Sequence, residues 1–106
     1  MIDFLKPVSK AVIAHKEVLP QGVLGKQIIS YIKKGDLPSI EGIKFAIIGV
    51  NENRRDTNYI GEEVSFDPIR RALYSLYPGN WNHGIVDLGD IDKGETVDDT
   101  YFALRS

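Results

Sequence analysis

Phe45-Ala-Ile-Ile-Gly-Val-Asn-Glu-Asn-Arg-Arg-Asp56, followed by Asp67-Pro-Ile-Arg-Arg-Ala-Leu-Tyr74 and Ile85-Val-Asp-Leu-Gly-Asp90, decides the fold. The first stretch opens on an unbroken apolar run, the pattern of a parallel strand covered on both faces, and predicts a strand over 44–50. Asp67 reads as a helix N-cap, and Pro68 suits the first helical position. Ile69, Ala72, Leu73, Leu76 and Tyr77 repeat at i, i+3, i+4, i+7 and i+8, which predicts a helix over 67–77 with one apolar stripe. Pro78-Gly79-Asn80 ends that helix, and Ile85 to Leu88 predicts a second strand. Strand, helix and strand in succession make a βαβ unit with parallel strands and a right-handed crossover. The fold class is therefore α/β. Ligands of such sheets bind beyond the carboxyl ends of the strands, here from Asn51 and from Gly89 onward.

Upstream, Leu24, Ile28, Ile29 and Ile32 fall on one helical face, Lys33 and Lys34 suit a last turn, and Gly35 suits a C-terminal cap. This predicts a helix over 22–34. Ala11-Val-Ile-Ala14 is apolar but too short to separate helix from strand by its period. Asp36 to Gly42 reads as a linker. Residues 51–66 form a loop longer than compact domains usually carry without a function. Thr96-x-x-Asp99 opens another helix, with Val97, Tyr101 and Leu104 on one face. Only about two and a half turns separate it from Ser106, so the end reads as a truncation. The organisation expected is an N-terminal extension over 1–43 and a truncated α/β unit over 44–106.

Hydrophobic residues make up 42% and charged residues 26% of the 106-residue chain, the balance of a globular protein rather than a disordered one. The lack of cysteine excludes disulfide frameworks and thiolate metal sites. A net charge of −2 gives no reason to expect a nucleic-acid partner. Residues 1–44 carry a surplus of lysine, whereas acids thicken between Asp87 and Asp99, as on a solvated rim. The start, Met1-Ile-Asp-Phe-Leu-Lys-Pro7, has neither the basic head nor the long apolar middle of a secretion signal. No apolar run approaches the length of a membrane span. A cytoplasmic protein without a membrane partner is expected.

Several motifs invite chemistry. Gly22-Val-Leu-Gly-Lys26 has the wrong spacing for a phosphate loop, and no strand precedes it. His15 and His83 lack the clustered ligands that a metal site needs. Asp87 and Asp90 flank Leu88-Gly89 at the end of the second strand. Paired carboxylates can hold a metal or act as acid and base, but aspartates at strand ends also satisfy turn amides, and the structural role is the expected one. Asn51-Glu-Asn-Arg-Arg-Asp-Thr-Asn58 is dense in polar groups after an apolar strand. Two readings stand: a solvated loop with local ion pairs, or a loop in which Arg54 and Arg55 grip a carboxylate by bidentate hydrogen bonds. Trp81 reads as a cover over the helix end.

Residues 44–104 resemble the opening of the ureohydrolase superfamily, which contains arginase, agmatinase and formimidoylglutamase. The resemblance rests on Ile48-Gly-Val50, on Gly61, Ile69 and Arg70 within Gly61-Glu-Glu-Val-Ser-Phe-Asp-Pro-Ile-Arg70, and on Asp87-Leu-Gly-Asp90. Ser65 and Phe66 stand where the family pattern has Gly-Pro, and Glu62 where it has a small residue. Pro78-Gly-Asn-Trp81 and Asp98-Asp-Thr-Tyr-Phe-Ala-Leu104 look most like the formimidoylglutamase-like bacterial branch.

The resemblance implies the N-terminal βαβ part of a three-layer αβα sandwich. It implies hydrolysis of a guanidino or formimino carbon–nitrogen bond of a small molecule such as formimidoylglutamate or arginine. In the complete family member, two manganese ions activate a water. Their ligands lie in motifs that this stretch lacks, so no catalytic or metal-binding residue is carried over. Asn51, Glu52, Asn53, Arg54, Arg55 and Asn58 are expected at the rim of the substrate site. Asp67, Arg70, Asp87 and Asp90 are expected to be structural. The stretch alone is expected to be inert, with the remainder of its parent chain as partner. A non-catalytic arginase-like protein and a binding or assembly module are the alternatives. In the family sheet the strand matching 44–50 has neighbours on both edges, one of them beyond Ser106. Its open edge predicts a homo-oligomer, unless residues 8–19 fold across it.

Overall fold

The computed structural model describes residues 5–50, 65–79 and 84–91. Seven elements follow in chain order: β1 (Leu5–Lys6), α1 (Lys10–Val18), α2 (Leu24–Gln27), β2 (Ile29–Ser30), β3 (Ile43–Val50), α3 (Asp67–Tyr74) and β4 (Gly84–Ile91). Together they make a mixed α/β structure. No helix among the described residues is long and apolar enough to cross a membrane.

β4 is the hub of the sheet. β3 runs parallel along one edge, from Ile43 beside Gly84 to Val50 beside Ile91. The other edge is shared. β2 pairs parallel through Ile29 and Ser30 with Val86 and Asp87. β1 pairs antiparallel through Leu5 and Lys6 with Ile91 and Asp90. The β3–α3–β4 unit is thus present with parallel strands, and the second strand is longer than the expected Ile85–Leu88. Two small cores flank the sheet. On the helical side Val8, Val12, Leu24, Ile28, Tyr74 and Ile85 pack together. On the other side Leu5, Tyr31 and Ile91 pack with Leu37, Ile48 and Leu88.

The expected helix over 22–34 is not formed. A single helical turn, Leu24–Gln27, gives way at Ile28 to extended chain and to β2. Ile28, Ser30 and Tyr31 are buried, whereas Ile29 and Ile32 face solvent, so the stripe that predicted the helix is broken. Isoleucines at 28, 29 and 32 with Tyr31 favour extended chain, and the pairing with β4 realises that preference. Gly35 caps no helix. It has φ +86° beside the Lys33–Asp36 bridge.

Residues 10–18, which the period left undecided, form a helix because Ser9 caps it. The Ser9 Oγ accepts from the Val12 amide at 3.2 Å. This helix packs against α3 and buries Val12, so residues 8–19 do not close the outer edge of β3. Every residue of β3 is half-buried or exposed, contrary to the expectation of a strand covered on both faces.

α3 starts where expected but ends at Tyr74, short of the expected span over 67–77, and two further corrections apply. Phe66 occupies the N-cap position without a side-chain cap. Asp67 instead sits in the first turn and accepts from the Ser9 hydroxyl at 2.9 Å. The buried residues of α3 are Arg70 and Tyr74, not the apolar stripe. Ile69, Leu76 and Tyr77 are exposed, and Leu73 is only half-buried. The reason is chemical. β4 presents a carboxylate to this helix, and Arg70 and Tyr74 can satisfy it where Ile69 and Leu76 cannot.

Candidate functional site

Arg70 and Tyr74 lie one helical turn apart, so both reach the same point of β4. That point is Asp87, which is 0% exposed, facing Arg70 at 4%. Arg70 Nε donates to Asp87 Oδ2 at 2.8 Å, and Nη2 donates to Oδ1 at 3.0 Å, a bidentate pair. Nη1 donates to Asp90 Oδ1 at 2.6 Å, and Nη2 also donates to the Gly89 carbonyl at 2.9 Å. The Tyr74 hydroxyl donates to Asp87 Oδ2 at 2.6 Å. Its single proton being so used, it accepts from Ser30 Oγ at 3.0 Å. The Gly89 amide donates to Asp87 Oδ1 at 3.1 Å, an Asx-turn. Each Asp87 oxygen therefore accepts two hydrogen bonds, as a buried carboxylate requires.

The turn explains the bulge in β4. Ile47 pairs with Asp87, but Gly49 pairs with Asp90, so β4 holds one residue more than β3 over this interval. Gly89 has φ +82°, and a Cβ there would overlap the Lys6 carbonyl. The extra residue swings Asp90 back toward Arg70. Gly49 makes room opposite, since a side chain there would strike the Asp90 carboxylate and the Phe66 ring.

Electrostatics follow from burial and pairing. Burial alone lowers the Arg70 pKa. The hydrogen bonds to Asp87 and Asp90, and the charges of both, more than offset it and leave the guanidinium above its ordinary value. Burial, then the bond to Asp87, pushes the Tyr74 phenol well above its ordinary value. Burial, then neighbouring Lys26, holds the Lys16 ammonium below its ordinary value, with Asp87 pulling the other way. The Lys16 ammonium donates to the Ile28 carbonyl at 2.6 Å.

The structure thus brings together Arg70, Asp87 and Asp90, three residues singled out in the sequence. Asp67 stands apart, on Ser9. Asn51, Glu52, Asn53, Arg54, Arg55 and Asn58 lie outside the described residues, as do Trp81, His83 and the helix expected from Thr96. Sequence reasoning missed Tyr74 and Ser30. The i, i+4 spacing of Tyr74 from Arg70 was the available signal for the first, and nothing local marks the second.

The chemistry open to this cluster is limited. The Asp87 oxygens are fully used, and Asp90 is bound to Arg70, so these carboxylates do not fit the manganese pair that the family resemblance implies. Among the described residues no group of three His, Cys, Asp or Glu residues could hold a metal. His15 Nε2 lies 3.1 Å from Ser75 Oγ, but that hydroxyl donates to the Arg71 carbonyl at 2.7 Å. The histidine therefore donates to the serine, and the pair ties α1 to α3 rather than activating a nucleophile. A groove of 360 Å³ opens beside the cluster, with Ile47, Gly49, Val50, Phe66, Ile69 and Arg70 among its walls. It lies at the carboxyl end of β3, where parallel sheets take ligands. Comparison with models of known families, with characterised proteins and with solved structures returned no match.

Proposed function

We propose that this chain is the N-terminal part of a ureohydrolase-like metallohydrolase, inert by itself, whose complete form cleaves a guanidino or formimino carbon–nitrogen bond in the cytoplasm. One observation carries the reading. The separate stretches that resemble the family meet at one place: Gly49 packs under Asp90 and Phe66, while Arg70 binds Asp87 and Asp90. On this reading the cluster is scaffold. It fixes the carboxyl ends of β3 and β4, while a manganese pair and its ligands belong to later strands of an arginase-like αβα sandwich. Residues 51–58 would rim the substrate site.

The reading frame past Ser106 tests this. A Gly-Gly-x-His motif followed by Asp-Ala-His-x-Asp supports it, as does manganese-dependent release of urea, formamide or ammonia by the product of that longer frame. A frame without these motifs refutes it. For the 106-residue chain alone, calorimetric titration with manganese should show no tight, stoichiometric binding of two ions. The second reading, an assembly module without catalysis, is favoured by the exposure of β3 and gains ground if the longer frame is inert.

A further inference from the structure

We infer that α1 pairs antiparallel with α1 of a second copy, about a two-fold axis between Ile13 and Ala14. The inward side of this helix is already committed. Val12 is buried in the core, the His15 ring is bound to Ser75, and the Lys16 ammonium is bound to the Ile28 carbonyl. The outward face carries Lys10, Ile13, Ala14 and Glu17 at i, i+3, i+4 and i+7, the spacing of a helix–helix seam. These residues line a groove of 240 Å³, with Ile32 on its other wall. Ile32 is 59% exposed, and Lys10, Ala14 and Glu17 are exposed as well.

Charge singles out a second copy as the occupant, because this face is its own complement. Antiparallel pairing centred between Ile13 and Ala14 sets Ile13 of each copy against Ala14 of the other, large against small. It also sets Lys10 of each copy beside Glu17 of the other. Both charges then lie at the same height, about 5 Å along the helix from the two-fold axis. They face each other across the roughly 8–10 Å that separates packed helices, within reach of two long side chains. Both charges are available. Neither the Lys10 nor the Glu17 side chain has an ion pair among the described residues, and Lys26 reaches the Glu17 carbonyl rather than its carboxylate. The helix dipole adds to the match, since each α1 gains an anion beside its amino end and a cation beside its carboxyl end. Parallel pairing would set lysine against lysine and glutamate against glutamate. A helix of 9 residues buries far less than the roughly 800 Å² per partner of a stable interface, so the dimer is weak. α1 lies outside the stretch that resembles the ureohydrolases, and the pairing needs nothing from that reading.

Sedimentation equilibrium of the 106-residue chain, from micromolar to millimolar concentration at low salt, tests the inference. A weak dimer is expected. Lys10→Glu and Glu17→Lys should each weaken it about tenfold, because two ion pairs become two like-charge contacts. Both positions are exposed, so the circular dichroism spectrum should not change. Mixed in equal amounts, the two variants should form a heterodimer about as tight as the wild-type dimer, since each supplies the charges that the other lacks. Both substitutions in one chain should restore self-association. A monomer throughout, a dimer that neither single change weakens, or a loss that neither mixing nor the double variant recovers would overturn the inference.

Discussion

β3 and β4 are neighbours of equal length, both parallel, both rich in isoleucine and valine, and their environments are opposite. β4 buries Ile85, Val86, Asp87 and Ile91, whereas β3 buries nothing completely. The more apolar strand is the more exposed one, and the strand with two aspartates forms the centre. Position explains it. β4 has partners on both edges and a helix whose arginine and tyrosine meet its carboxylate, while β3 has β4 alone among the described strands. α3 repeats the lesson, with its arginine and tyrosine inside and Ile69, Leu76 and Tyr77 outside. Burial in this molecule follows the pairing of polar groups as much as hydropathy.

The sharpest way to break that contrast is to remove the cation. Arg70→Met leaves Asp87 buried with only Tyr74 and the Gly89 amide, and should cost about 3–5 kcal/mol in urea denaturation. Gly89→Ala comes next. Its positive φ costs about 1–3 kcal/mol on a residue with a side chain, and the overlap with Lys6 adds to that. Tyr74→Phe removes one donor to a buried carboxylate and should cost about 1–3 kcal/mol.

The phenol also predicts a pH dependence. Its folded pKa is raised, so its contribution is complete below the unfolded value near 10 and is lost as pH rises from there toward the folded value. Denaturation midpoints followed from pH 8 to 11 should therefore fall more steeply for the wild type than for Tyr74→Phe. The smallest effect belongs to the outward stripe. Ile69→Ala and Leu76→Ala should each stay within about 0.5 kcal/mol, because exposed side chains lose little on truncation. A loss of several kcal/mol at Ile69 would mean that the stripe is covered after all.

The sequence made the α/β class, the two parallel strands and the start of α3 legible, because the apolar runs and Pro68 each have a local cause. It also marked Asp87, Asp90 and Arg70, though not that they touch. Other features depend on distant partners. Residues 28–32 have helical spacing, yet the edge of β4 draws them into a strand, and no window of sequence contains that edge. Ile69 to Tyr77 has a clean apolar stripe, yet the helix turns a polar face inward because Asp87 lies beneath it. The cap at Ser9 was readable and would have settled the helix over 10–18. Asp67 has the identity of a cap, but Phe66 takes that place and Asp67 serves Ser9 from across the chain.

The central claim is that the Arg70–Asp87 pair, rather than an apolar stripe, joins α3 to the sheet. A double-mutant cycle tests it most directly, with Arg70→Met, Asp87→Leu and the double variant measured by urea denaturation. Each single change strands one partner and should cost about 3–5 kcal/mol, whereas the double removes both charges together and should cost far less than the sum. Losses that simply add would show that the two side chains act independently, and would contradict the account.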